Sequence, residues 1–549
     1  MDLNKTWSKI EKFFGTLKFA VTILSIFSVL MIVGTLLEST YGTDYANRMI
    51  YKTWLFMGVQ FLMFLSITMA LFLRLPPKKT FYGFYTIHVG LILIACGSFI
   101  TWHSGIDGHI TLDPNTPTQK IELGEDQVQV RLPQKGKMAI LNLPYTPLEK
   151  DLKEEYQEIK FKTFYPYSEN KLEWIEEKSQ YPTDVSFPST QYLLFNDNVS
   201  QDFVLSLHPE APNFRASMTM GLLNLHYLPE KLATCFSKKN PSKLIFWNSI
   251  SRECFTPEER NISINKTTQG KPFLILKEKE ALYSFFPDSS PWPFNNKKEP
   301  ITQSPIRVFN KLLFEKKPHL FLFGRKAAFS VEGEWEVLTI KDDNTIDLPW
   351  MGFELQVLNH TTSKVPAEVP YYVSPIQKES KLIRGDQKAI LTEIRGQDYW
   401  LTDRRPLNLL VDGENIKIHL VKKSLSLPFE LTLSRFKMKT NPGTNEPASY
   451  ESFVQLFTEN GTQNHHIFMN NPLKFQGFTF YQSSYYKLGD GEAYGSVLSA
   501  NIDPGRPFKY IGSIFLVLGG LWHYMIRRKK DHTKKKSSNN QLKSAEALS

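Results

Sequence analysis

Three cysteines in 549 residues are too few to build a disulfide scaffold, and none of them is spaced for chemistry. There is no C-x-x-C pair, which removes the usual redox and zinc-clasp spacings, and no C-x-x-C-H, so the chain carries no covalent haem attachment site of its own. G-x-S-x-G and H-E-x-x-H are also missing, and no compact His/Asp/Glu cluster is present, so an independent hydrolase or metalloenzyme is not expected. The formal net charge of +10 is not gathered into a basic stripe on a folded motif, which argues against a nucleic-acid partner. Much of the excess lies in short flanks such as Lys534, Lys535 and Lys536, where it suits membrane topology and contact with anionic lipid.

Apolar sequence is abundant but concentrated. A mean hydropathy of −0.29 looks soluble, yet four blocks approach the ~20 apolar residues that cross a bilayer. They are 19–37, 54–73, 82–102 and the shorter 510–526, which stops at Arg527, Arg528, Lys529 and Lys530. A cleaved signal peptide is the competing reading of the first block, since Lys5, Lys9, Lys12 and Lys18 precede it. Against that reading, the run exceeds the roughly 7 to 15 residues of a signal core, and Glu38-Ser39-Thr40-Tyr41 is not a small-x-small cleavage site.

Basic residues near helix ends stay on the cytoplasmic side. The N-terminal segment, the turn holding Arg74, Lys78 and Lys79, and the tail after Arg527 are all basic, which places both termini and that turn in the cytoplasm. The expectation is a multi-pass protein of the cell inner membrane: four transmembrane α-helices (3+1) with a large, mainly antiparallel β extracytoplasmic domain. Residues 1–102 would hold the cytoplasmic N-terminus and helices one to three, and 103–509 the outer domain, divisible into 103–345 and 346–509. Residues 510–526 would be helix four, and 527–549 a basic cytoplasmic tail. Short alternating runs such as 127–132, 416–421 and 429–433, punctuated by Gly, Pro, Asn and Asp, carry the β reading. Residues 146–160 read as a helix.

Cys96 falls in the third span, where it packs as a small apolar residue. Cys235 and Cys254 fall in the outer domain, where an oxidising compartment permits a disulfide that spacing alone leaves open.

An ionisable side chain within a span is costly and marks a candidate site. His88 lies about six residues, roughly 9 Å, inside span three, and His523 about three residues, roughly 5 Å, inside span four, both from the cytoplasmic end. A neutral imidazole ligates haem iron, and an apolar porphyrin can lie between helices. The plainer alternatives are an interhelical hydrogen bond, or for His523 an interfacial anchor beside Trp522 and Tyr524. His103 and His109 read as interfacial polar residues. His465 and His466, adjacent on one extended segment, would face opposite ways.

The ordered set of local motifs resembles the ResB/CcsB (ResB-like) family of cytochrome c biogenesis proteins. Span one carries Leu17-Lys-Phe-Ala-Val21 and Gly34-Thr35-Leu36, and span two opens with Tyr51-Lys-Thr-Trp-Leu-Phe56. Span three carries His88-Val-Gly-Leu-Ile-Leu-Ile94 and Gly97, followed by Gly105-Ile-Asp-Gly-His-Ile-Thr-Leu112. Tyr450-Glu-Ser452, Met469-Asn-Asn-Pro-Leu473, Gly477-Phe-Thr-Phe-Tyr-Gln-Ser-Ser-Tyr485 and Asp503-Pro-Gly505 follow near the far end. The resemblance covers 15–112 and 425–526, and 145–345 has no match. It implies a subunit of a holocytochrome c synthase complex, accessory rather than catalytic, that holds or transports haem and supports its attachment to apocytochrome c. By the same resemblance His88 is an axial ligand of iron in a transient haem b at the interface with a ResC/CcsA-type partner, and His523 is the second candidate for haem binding. No Trp-Trp-Asp signature is present, so the partner would be a separate chain. Phe480, Tyr481, Tyr485 and Tyr486 would offer contact area close to the membrane, or else form the core and rim of a sheet. The alternative function is a haem-free, membrane-tethered β-domain that scaffolds another envelope complex.

Overall fold

A computed structural model describes residues 11–132, 136–177, 187–211, 213–236, 244–251, 253–267, 270–278, 281–286, 291–295, 299–301, 303–310, 318–332, 334–341, 344–378, 381–411, 413–443, 447–459, 461–489 and 493–546. The chain divides into two compact units, one of Met1–Glu169 with Pro370–Ser549 and one of Asn170–Val369. In sequence the second is an insertion into the first.

Three helices near the N-terminus are long and apolar enough to cross a membrane. Helix α1, Leu17–Tyr41, starts where the Thr16 side chain accepts the Phe19 N–H, and it ends where Gly42 takes φ 93°, a left-handed value that costs a residue without Cβ nothing. Helix α2, Trp54–Phe72, begins the same way, with Thr53 accepting from the Phe56 N–H. Helix α3 is Tyr82–Ser104. Leu24, Ile26, Val29 and Ile32 of α1 are all exposed, so this face of the helix finds no apolar partner among the described residues and needs an apolar solvent instead.

Helix α4, Arg506–Glu546, lies antiparallel on α3. The two meet through glycines spaced by seven: Gly83, Gly90 and Gly97 on α3, with Gly505, Gly512 and Gly519 on the other side. A Cβ at Gly90 would sit 2.6 Å from the Gly512 carbonyl, one at Gly97 2.8 Å from the Gly505 carbonyl, and one at Gly519 2.7 Å from the Ile87 nitrogen. Backbone therefore touches backbone along this seam, which is how helices associate where no hydrophobic drive exists between them. Asp503 pins one end, accepting from the Thr101 hydroxyl at 2.5 Å and from Lys509 Nζ at 3.0 Å. These contacts give the Asp503-Pro-Gly505 motif its physical content.

The first unit's main sheet has ten strands, all antiparallel to their neighbours: β1 Ile106–Leu112, β2 Thr118–Leu132, β3 Lys137–Asn142, β4 Leu407–Val411, β5 Glu414–Thr440, β6 Pro447–Thr458, β7 Gly461–Ile467, β8 Leu473–Phe475, β9 Phe478–Lys487 and β10 Tyr494–Ile502. The order is β7-β6-β5-β2-β1-β10-β9-β8, with β4 on β5 and β3 on β2. Ile106 pairs with Ile502, so the strand leaving α3 and the strand entering α4 lie side by side, and both tethers of the sheet reach the helices together. One half of the sheet encloses Ile110, Leu431, Leu456, Phe480 and Leu498. The other half packs Val128, Val130, Ile418 and Leu420 against Phe161, Phe164, Ile390 and Leu401 of a second sheet.

The expected helix over 146–160 is absent. Lys150–Asp151 and Glu155–Tyr156 are short strands paired to the strand that starts at Ile159, and Gln157 turns the chain at φ 57°. Burial of Leu152 and Ile159 in the second core overrides the local helix preference of the Lys/Glu-rich sequence.

The second unit is also β-built. Leu223–Tyr227 runs parallel to His319–Phe323 and antiparallel to Ser217–Met220, and His319–Phe323 is antiparallel to Lys326–Val331. Cys235 and Cys254 form a disulfide across a sequence separation of 19.

Candidate functional site

The seven-residue glycine spacing turns one face of α3 entirely to α4. His88 follows Gly83 by five residues, which places it about 140° round the helix from that face. His88 Nδ1 lies 2.9 Å from the Phe84 carbonyl oxygen. A carbonyl oxygen only accepts, so the neutral ring carries its proton on Nδ1 and leaves the Nε2 lone pair for another partner. This is the arrangement that fixes the tautomer of metal-ligating histidines. The Phe84 ring packs on the imidazole at 3.7 Å between centroids, and the Arg74 guanidinium lies 4.5 Å over the same phenyl ring. Arg74 ends its own helix by donating from Nη1 to the Ala70 carbonyl at 2.9 Å, and the Tyr85 hydroxyl donates to the Arg74 carbonyl.

His523 is elsewhere. Its backbone and β-carbon sit against Gly83, so it lies on the glycine side of α3, and the two imidazoles leave from different flanks. The structure does not bring them together. Two apolar grooves open along α3: one of about 600 Å³ beside Thr86, Phe515, Leu518 and Trp522, and one of about 490 Å³ beside Leu71, Leu75, Tyr82, Tyr85 and Val89. Neither is lined by His88 or His523, so a planar group on His88 Nε2 would need its second wall from another chain.

His103 is exposed at the end of α3, and His109 is exposed on β1, where strand alternation turns it outward between buried Gly108 and Ile110. His465 and His466 occupy β7 and do face opposite ways. His466 stacks on Phe453 at 4.3 Å and bonds Glu451 at 2.8 Å, which holds the Glu451 carboxyl below its usual range, while His465 reaches Gln463. Among the described residues no group of three or more His, Cys, Asp or Glu could hold a metal ion.

The aromatic residues of β9 divide. Phe480 is fully buried in the core and Tyr481 is 37% exposed. Tyr485 joins a half-buried cluster with Phe436, Tyr450 and Tyr494, and Tyr486 donates to Asp113 at 2.5 Å. Tyr485 pairs with Ser496 whereas Thr479 pairs with Asn501 beside the helices, so the tyrosine cluster lies five residues, roughly 17 Å, farther along the sheet. Of these four residues Tyr481 lies exposed and nearest the helices, while Phe480, Tyr485 and Tyr486 take places in the core and rim of the sheet.

A buried charge cluster was not foreseen. Between α1 and α2 the chain forms one α-turn, Thr43–Ala46, and a π-helical turn, Asn47–Tyr51. From these, Arg48 donates from Nε to Asp44 and from Nη2 to Asp126 on β2, both at 2.9 Å. Lys388 Nζ meets the other Asp126 oxygen at 2.5 Å, the Tyr167 hydroxyl donates to Asp44 at 2.7 Å, and the Tyr145 ring lies under the guanidinium at 4.5 Å. Two cations and two carboxylates therefore balance in a site where the Arg48 and Asp126 side chains are 1% and 3% exposed. Burial works to raise the Asp44 carboxyl, but Arg48, the Tyr167 hydroxyl and Lys388 outweigh it and hold it below the ordinary value; burial pushes Lys388 down. The Asp44/Arg48 spacing of four was visible in the sequence. Asp126 and Lys388, 78 and 262 residues away from their partners, were not.

Comparison with known proteins agrees with the resemblance. Residues 409–498 match the model of the ResB-like family. Over 152 residues the chain is 31% identical to Protein NrfI of Wolinella succinogenes, a stretch that is 27% of this chain and 15% of that protein. The ResB/CcsB resemblance is thus borne out. The family segment runs from β4 through β10, where the sheet returns to the helices.

Proposed function

We propose, on the premise of this ResB-like segment, that the chain is a membrane subunit of cytochrome c maturation that holds or passes haem at His88 for attachment to apocytochrome c. The observation that carries the reading is the His88 imidazole, which sits in an apolar helix away from the glycine seam, with its proton committed to the Phe84 carbonyl and its Nε2 lone pair left for a partner. His88 would hold the haem iron through that lone pair, and the rest of the site would come from a ResC/CcsA-type partner. His523 would serve that partner-facing surface from the other flank. The chain itself supplies position: Phe84 fixes the ring, and the glycine seam fixes α3.

Residues 510–526 of α4 cross the membrane beside α3 in this reading, because the seam with α3 runs as far as His523. The basic flanks put both termini in the cytoplasm and the β-units outside. The Cys235–Cys254 disulfide supports that sidedness, since such bonds persist in oxidising compartments.

A reporter apocytochrome bearing C-x-x-C-H, co-expressed with a ResC/CcsA-type partner, tests the assignment. Covalent haem on the reporter is expected only when this chain is also present. Equal haem attachment without it would leave the haem-free scaffold as the function.

A further inference from the structure

We propose that Arg74 is the anion-binding half of the same site, and that its guanidinium takes a carboxylate of the porphyrin whose iron His88 binds. The inference rests on the haem reading of His88 and adds to it an orientation for the bound group.

Arg74 follows the end of α2, Phe72, by two residues. A cation at a helix C-terminus is favourable by itself, and a basic residue at a membrane flank also fits contact with lipid headgroups. Neither accounts for where this guanidinium points. It lies over the face of Phe84, on the neighbouring helix, and Phe84 in turn packs on the His88 imidazole. One phenyl ring therefore touches both the guanidinium on α2's end and the candidate iron ligand on α3. The bond to the Ala70 carbonyl uses one of the five N–H donors of an arginine, and Arg74 makes no ion pair among the described residues. Its other donors remain in the fork geometry that matches a carboxylate bidentately.

Protohaem has two carboxylates on short flexible arms at one edge of a flat apolar macrocycle. If the iron sits on His88 Nε2, roughly 9 Å inside the helix end, the apolar body lies among the helices and the acidic edge must find either water or a cation. Arg74 is the cation fixed at that end. The acid edge would then face the end of α2, which sets the sense in which haem enters and leaves.

The test uses the full chain co-purified with its ResC/CcsA-type partner in nanodiscs and titrated with hemin or hemin dimethyl ester, with the Soret band as readout. Wild type and Arg74→Gln are compared, with Arg74→Lys as the variant that keeps the charge. Loss of a charge-assisted pair weakens binding about tenfold or more, so Arg74→Gln is expected to bind hemin at least tenfold more weakly and to bind the diester as wild type does, with Arg74→Lys in between. An equal loss for acid and ester would make Arg74 a packing residue and overturn the proposal, as would no loss for either. A change in Arg74→Gln confined to discs with anionic phospholipid, with hemin affinity intact, would assign the cation to a headgroup and also overturn it. His88→Ala separates the two readings: hemin binding that ignores His88→Ala sinks the ligand assignment, whereas acid-selective loss in Arg74→Gln still reports the carboxylate contact.

Discussion

Arg48→Ala is expected to lower the unfolding free energy of the detergent-solubilised chain by about 3–5 kcal/mol, because it leaves the buried Asp126 carboxylate and the partly exposed Asp44 carboxylate facing one lysine. The Asp44 and Asp126 oxygens each lose a charged donor at 2.9 Å, and Asp126, with its side chain 3% exposed, has no water in reach to compensate. Chemical unfolding followed by tryptophan fluorescence would read the shift, with Arg404→Ala, an exposed ion-pair partner of Asp386, as the control expected to change little. The effect also depends on pH. The folded-state pKa of Asp44 is depressed, so its contribution is fully present above the ordinary aspartate value of 3.8 and is lost as pH falls through the lower folded value. The gap between wild type and Arg48→Ala should therefore narrow below about pH 4. An unchanged midpoint at pH 7 would show that the cluster does not tie the turn after α1 to β2.

Gly90→Leu is expected to part α3 from α4, at a cost of about 2–3 kcal/mol for overpacking alone. Even the first added carbon would lie 2.6 Å from the Gly512 carbonyl and 2.9 Å from the Leu516 nitrogen, and both are backbone atoms that cannot rotate away. Gly58→Ala in α2 is the matched control, since nothing lies within 4 Å of its Cβ position and alanine favours a helix interior over glycine. Thermal melts of the two variants should move in opposite directions. Equal behaviour would mean that the seven-residue spacing has no packing role.

Much of the membrane part was legible because its signals are local. The apolar blocks at 19–37, 54–73 and 82–102 became helices within a few residues of those limits, and Thr16, Thr53 and Gly42 mark ends that short-range rules recognise. The strands at 127–132, 416–421 and 429–433 lie within β2 and β5 because alternation is likewise a local signal. What escaped depends on contacts distant in sequence. Lys388 meets Asp126 only after the β-domain folds, and the strand pairing of 155–160 overrode a composition that favours helix. The glycine spacing stood in the sequence on both helices, but each set explains the other only once α3 and α4 are seen antiparallel. His88 stands out by its cost in lipid, whereas Arg74 reads as a topology signal until the Phe84 ring is seen to touch both.

His88 Nε2 is the proposed ligand for haem iron. Its most direct test is the reduced-minus-oxidised spectrum of the chain co-purified with a ResC/CcsA-type partner, recorded for wild type and for His88→Gly before and after free imidazole is added. The prediction is a b-type signal in wild type, its loss in His88→Gly, and its return when imidazole fills the vacated space. A b-type signal of wild-type strength in His88→Gly without imidazole would contradict the account.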